Sequence, residues 1–122
     1  MLRSFPELVA EARADLRCVD AQTARAEIAE NGGLLIDVRE AGEAGSPAVA
    51  GAVNIPRGVL ELNIGELAAD AGQPLYLHCA TGGRATIAAQ QLQKMGYENV
   101  SVITCPVTTV SGVMASDPAS KA

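Results

Sequence analysis

The chain has no tryptophan, and other aromatics are nearly missing too: one Phe and two Tyr among 122 residues. A core without large rings has to be built from Val, Ile, Leu and Ala. At 48% hydrophobic content the chain holds enough of them to bury one. Positive charge is also scarce. Nine Lys and Arg against fourteen Asp and Glu leave a formal net charge of -5, which disfavours nucleic acid as a partner, because that affinity rests on basic side chains neutralising phosphates. No apolar run approaches the roughly 20 residues of a membrane helix, so no membrane partner is expected. The N-terminal stretch, broken by Glu7, Glu11 and Arg13, lacks the apolar core of a secretory leader. The expected location is therefore the cytoplasm.

Cysteine is sparse and odd in number: Cys18, Cys79 and Cys105, with no Cys-x-x-Cys and a single histidine. That argues against a disulfide framework and against a zinc site, and no metal or organic cofactor is expected. What remains is one reactive thiol and two bystanders.

The length suits one domain, read here as residues 4–115, followed by a small, polar tail at 116–122 that is expected to be loose. Leu8, Ala12 and Leu16 have helical spacing, with Pro6 at a first-turn position, so a helix is expected over 6–14. A short strand follows at 16–19. Asp20 then caps a helix over 21–30 that Asn31-Gly32-Gly33 ends. The continuous apolar run 34–38 reads as a central strand buried on both faces. Residues 40–51 read as a loop with at most one helical turn, 53–55 as a strand and 59–69 as a helix. A strand at 75–78 runs straight into a glycine-rich loop, a helix covers 84–95 with Gly96 as its stop, and a fifth strand covers 100–103. Strands alternating with helices imply a parallel sheet covered on both faces, with ligands bound beyond the carboxyl ends of its strands.

One such end carries Cys79-Ala80-Thr81-Gly82-Gly83-Arg84. A cysteine between a buried strand and a helix, followed by small residues and two glycines, lets successive backbone N–H groups turn toward one point. Those amides stabilise a thiolate at Cys79 and an anion above it, and Arg84 adds a planar fork of donors. The arrangement suits attack by sulfur on an anionic substrate, with the loop holding charge on the leaving group. Sulfur transfer through a persulfide fits this chemistry, and so does phosphate or arsenate chemistry through a thiol adduct.

Five segments in order resemble the signatures of the rhodanese-like domain family: Leu35-Ile36-Asp37-Val38-Arg39, Glu43, Gly51-Ala52-Val53-Asn54-Ile55-Pro56, Cys79 to Arg84, and Gly96-Tyr97-Glu98-Asn99-Val100. The resemblance implies a three-layer α/β/α fold on a five-stranded parallel sheet. It further implies movement of a sulfane sulfur from thiosulfate or a persulfide to a thiophilic acceptor. Cys79 would be nucleophile and carrier, with Ala80, Thr81, Gly82, Gly83 and Arg84 binding the donor. The partners would be a small anionic sulfur donor and a thiol or cyanide-like acceptor. In this family a loop of six residues marks sulfurtransferases and one of seven the related phosphatases and arsenate reductases; here it is six. After residue 103 the resemblance fails. There is no Gly-Gly turn, no Trp and no helical stripe in Thr104 to Met114, so the usual last helix is expected to be atypical or missing, and the apolar stretch packs on its own domain, on a second copy or on a protein partner. That departure leaves a non-catalytic binding or regulatory module as the alternative.

Other residues carry plainer readings. Asp37 and Arg39, at a strand's carboxyl end, read as a structural ion pair that holds neighbouring loops. Arg57 adds positive potential near the mouth or is a solvated surface charge. Thr81 donates its hydroxyl to a bound anion or merely holds the loop. His78 neighbours Cys79 on a strand and so points to the opposite face, which makes it a structural residue rather than the base. Cys18 is expected in the core, and Cys105 as a bystander or a resolving thiol.

Overall fold

The computed structural model describes residues 1–115, so the expected tail at 116–122 lies outside the described residues. The chain alternates helices and strands: α1 (Phe5–Arg13), β1 (Arg17–Val19), α2 (Ala21–Asn31), β2 (Leu34–Asp37), α3 (Ala41–Ala44), β3 (Ala52–Asn54), α4 (Leu60–Leu67), β4 (Leu75–His78), α5 (Gly83–Met95), β5 (Val100–Ile103) and α6 (Val107–Ala115). A 3-10 turn, Arg57–Val59, leads into α4.

The helix ends are chemically marked. Ser4 and Glu7 form a capping box at the start of α1. The Asp20 carboxylate accepts from the Thr23 N–H at the start of α2, and Gly32 ends that helix at a positive φ of 68°. All five strands pair in parallel in the order β1-β5-β4-β2-β3, so β4 lies at the centre. Side chains alternate along it. Leu75 and Leu77 join one apolar layer with Ile36, Leu60, Ile64 and Leu92 beneath α4 and α5. Tyr76 joins the other layer with Leu35, Ala24, Ile103 and Val110 beneath α2 and α6. Helix α1 lies along α5. The face of α5 turned to the sheet consists mostly of alanine: Ala85, Ala88 and Ala89 are fully buried together with Leu92.

Two expectations are corrected. The last helix is present, not missing. Its β-branched residues Val107, Thr108, Thr109 and Val110 are weak helix formers, which hides it from pattern reading. Tertiary packing overrides that propensity: Val110 is buried against α2, with Val107, Val113 and Met114 packed around it. The apolar stretch thus packs on its own domain. Cys18, expected in the core, is exposed, because β1 is an edge strand in which only Val19 is buried.

Between β2 and β3 the chain wraps around one buried cation. Arg39, 1% exposed, meets Asp37 through Nη2 at 2.8 Å and Nε at 3.0 Å. Its remaining donors reach the carbonyls of Glu43 and Ala44 at 3.0 Å, Pro47 at 2.8 Å and Ser46 at 3.4 Å. This is the structural ion pair expected of Asp37 and Arg39. Removing one partner leaves an uncompensated buried charge, so Asp37→Ala should lower unfolding free energy by about 3–5 kcal/mol, read from urea denaturation.

Candidate active site

Cys79 lies one residue beyond β4, at the carboxyl edge of the sheet, and is 1% exposed. Its Sγ accepts from the N–H of Gly82 at 3.1 Å and of Ala85 at 3.4 Å. Gly82 is the N-cap of α5 at a φ of 94°. That left-handed conformation, open to glycine, turns its N–H inward. A Cβ there would stand 2.9 Å from Arg13 Nη2 and 3.3 Å from the Thr104 Cα. The thiol therefore sits over the positive end of a thirteen-residue helix with two amides already aimed at it.

Three contacts hold the loop from outside. Its Ala80 carbonyl accepts from the Val107 N–H at 2.9 Å, which ties it to the start of α6. The Gly82 carbonyl accepts from the Thr86 hydroxyl at 2.7 Å, and Thr86 in turn accepts from Arg13 Nε at 3.1 Å. Thr81 is exposed at the tip, while Gly83 lies beneath Phe5, whose ring would be 2.7 Å from a Cβ at that position.

The family model for the rhodanese-like domain matches residues 20–105. The chain belongs to the rhodanese-like domain family. No curated protein matches it in sequence, but solved structures do. It is 27% identical to the polysulfide-sulfur transferase homodimer of Wolinella succinogenes, over 86% of this chain and 80% of that one, at a TM-score of 0.72. It is 27% identical to a thiosulfate sulfurtransferase of Pseudomonas aeruginosa, over 84% of this chain and 20% of that one, at a TM-score of 0.73. It is 32% identical to the Bacillus anthracis CoADR-RHD, over 80% of this chain and 17% of that one, at a TM-score of 0.67. The chain thus spans less than a quarter of the length of the last two. A Rhodopseudomonas palustris protein described as a possible tyrosine phosphatase, 22% identical over 90% of each chain, shares the fold at a TM-score of 0.74.

Within this rhodanese-like domain the candidate residues separate. Cys79 and the loop from Ala80 to Arg84 form one unit. Asp37 and Arg39 lie buried in the 37–47 turn and support it. Arg57 pairs with Glu61 at 2.8 Å, so its charge is balanced. The Arg84 fork meets Glu43, with Nη2 at 3.1 Å from Oε2 and Nη1 on Oε1. That guanidinium, followed by the Glu40 N–H, holds the Glu43 carboxyl down at about 2, and Glu43 raises Arg84 in return. Cys105 is half-buried among the α2–α6 packing residues. Arg13 and Thr86 escape sequence reading: nothing local marks them, and their nearness to the loop arises only when α1 packs on α5.

His78 is fully buried, and neither ring nitrogen has a hydrogen-bond partner among the described residues. It is structural, as its strand position implies. Burial pushes its pKa below the ordinary value, with the Asp37 charge opposing. An unfolded chain therefore binds this proton more readily than the folded one. Stability from His78 is complete above about pH 6.5 and declines as pH falls through the lower folded value, by at most about 1.4 kcal/mol per pH unit. Since the chain has one histidine, His78→Leu should flatten the urea midpoint between pH 8 and pH 5.5. Gly82→Ala should cost roughly 1–2 kcal/mol for the left-handed backbone, and slow alkylation of Cys79 by displacing its amide donor.

Proposed function

We propose that this domain is a sulfurtransferase that carries a sulfane sulfur as a persulfide on Cys79. The observation that supports the reading is the pair of inward N–H groups, from Gly82 and Ala85, at 3.1 Å and 3.4 Å from Sγ. Donors so placed stabilise the attacking thiolate and then the persulfide that replaces it. With thiosulfate as donor, the Cys79 thiolate attacks the outer sulfur. The S–S bond of thiosulfate breaks, and sulfite leaves with the electron pair. An acceptor thiolate or cyanide next attacks the terminal sulfur of the persulfide and releases the Cys79 thiolate, so no redox partner is required. The Pseudomonas and Wolinella proteins, described as acting on thiosulfate and on polysulfide sulfur, support a donor of this class. We place the reaction in the cytoplasm, with small-molecule donor and acceptor.

The phosphatase reading is disfavoured by the loop, whose six residues from Cys79 to Arg84 make a cradle tighter than phosphate needs. The binding-module reading drew on the altered C-terminal segment, and the presence of α6 there weakens that ground.

Intact-mass measurement after incubation with thiosulfate tests the proposal. The parent should gain one sulfur, about 32 Da, reversed by cyanide. Cys79→Ser should gain none. A parent with a free Cys79 thiol that takes no sulfur from thiosulfate or from a small persulfide refutes the reading.

A further inference from the structure

One of the two amides aimed at the Cys79 sulfur belongs to a glycine, the residue type with the widest backbone freedom. Gly82 caps α5 with no side chain of its own to anchor it. Its carbonyl accepts twice from Thr86, from the N–H at 3.0 Å and from the hydroxyl at 2.7 Å. The first is an ordinary helical bond and the second is additional to it. Thr86 is fully buried, and its oxygen accepts from Arg13 Nε at 3.1 Å. A guanidinium only donates, so the Thr86 proton is left for the Gly82 carbonyl and the direction of the relay is set. Each bond polarises the next. Helix α1 also covers both loop glycines: Arg13 Nη2 would stand 2.9 Å from a Cβ on Gly82, and the Phe5 ring 2.7 Å from one on Gly83.

We infer that Thr86, oriented by Arg13, is a positioning residue for the Cys79 thiolate: its hydroxyl pins Gly82 and so keeps the Gly82 N–H on the sulfur. The path runs from Arg13 Nε to Thr86 Oγ1, from Thr86 Oγ1 to the Gly82 carbonyl, and from the Gly82 N–H to Sγ at 3.1 Å. Arg13 precedes residue 20, where the match to the family model begins, so the first link comes from this chain's own N-terminal helix. Arg84 also interacts with the Cys79 sulfur, and the pinned amide works beside that guanidinium. An N–H held at the sulfur favours the thiolate over the thiol, because a charged acceptor makes the stronger bond. Loosening Gly82 therefore lowers the thiolate population, while each thiolate that forms is more basic and more nucleophilic. The inference deepens the sulfurtransferase reading and rests on it only for what the thiolate attacks.

Three variants test the relay. Thr86→Val deletes the hydroxyl and keeps the shape, Thr86→Ser keeps the hydroxyl, and Arg13→Met keeps the apolar stem without its donor. Site-resolved mass spectrometry gives the iodoacetamide rate at Cys79 in the full chain, and urea midpoints show that each variant is folded. In Thr86→Val the rate should fall about two- to fourfold at pH 6.5. At pH 9.5, where a thiol ionises without help, it should match the parent or exceed it. Arg13→Met should show the same crossing in smaller measure, and Thr86→Ser should follow the parent. An unchanged profile in Thr86→Val overturns the inference, as does a Thr86→Ser that behaves like Thr86→Val or an Arg13→Met that follows the parent. Slowing by one factor at both pH values marks blocked access, and quickening at both marks an opened fold; either result overturns it too. Should Thr86→Val not fold, Arg13→Met decides. Alkylation needs no sulfur donor, so the profile judges Thr86 even where thiosulfate leaves no persulfide, a result that would count against the sulfurtransferase reading alone.

Discussion

The buried Arg39 guanidinium is the constraint on which the carboxyl edge of the sheet depends. A cation removed from water needs each of its donors met, and this one collects a carboxylate from the end of β2 and four carbonyls from the end of α3 and the loop that follows it. Meeting those donors fixes the path of residues 40–47. That path brings the Glu43 carboxylate of α3 to Arg84 in the first turn of α5. The loop around Cys79 is thus tied, through Arg84 and Glu43, to a buried ion pair that lies outside it. Asn54, whose side chain donates to the carbonyls of Asp37 and Arg39, extends the same arrangement to β3.

At this edge the guanidinium groups of Arg39, Arg57 and Arg84 each meet a carboxylate. Aimed at the Cys79 sulfur are the Gly82 and Ala85 amides at the start of α5, with the Arg84 guanidinium also interacting with it. The chain as a whole is acidic, so a favourable potential for an anion at the Cys79 loop has to be local. Hydrogen bonds from Thr86 and Val107 hold the loop in place.

Much of this could be read from the residues. The strands at 75–78 and 100–103 have the bounds their apolar runs imply, because a central parallel strand buried on both faces carries an unmistakable pattern. Gly32 and Gly96 end their helices at positive φ as expected, and Cys79 with its loop stands at the end of the central strand. What escaped reading depended on the third dimension. Cys18 has a core-like sequence neighbourhood, and only the strand order makes β1 an edge. Helix α6 follows Pro106 with four β-branched residues, and its stability comes from a surface on α2 that no local window contains. The Arg84 charge was visible, whereas its neutralisation by a residue 41 positions away was not.

The alanines on the inner face of α5 have a consequence for the depth of the site. A helix that meets a sheet through methyl groups can lie closer to it than one separated by leucines. Ala85, Ala88 and Ala89 therefore set the height at which the end of α5 sits over the Cys79 sulfur. The reach of the amides is then governed by the spacing between two layers as much as by the loop that joins them. A larger side chain at Ala85, outside the loop and invisible from the solvent, would act as a wedge that lifts the amides from the thiol.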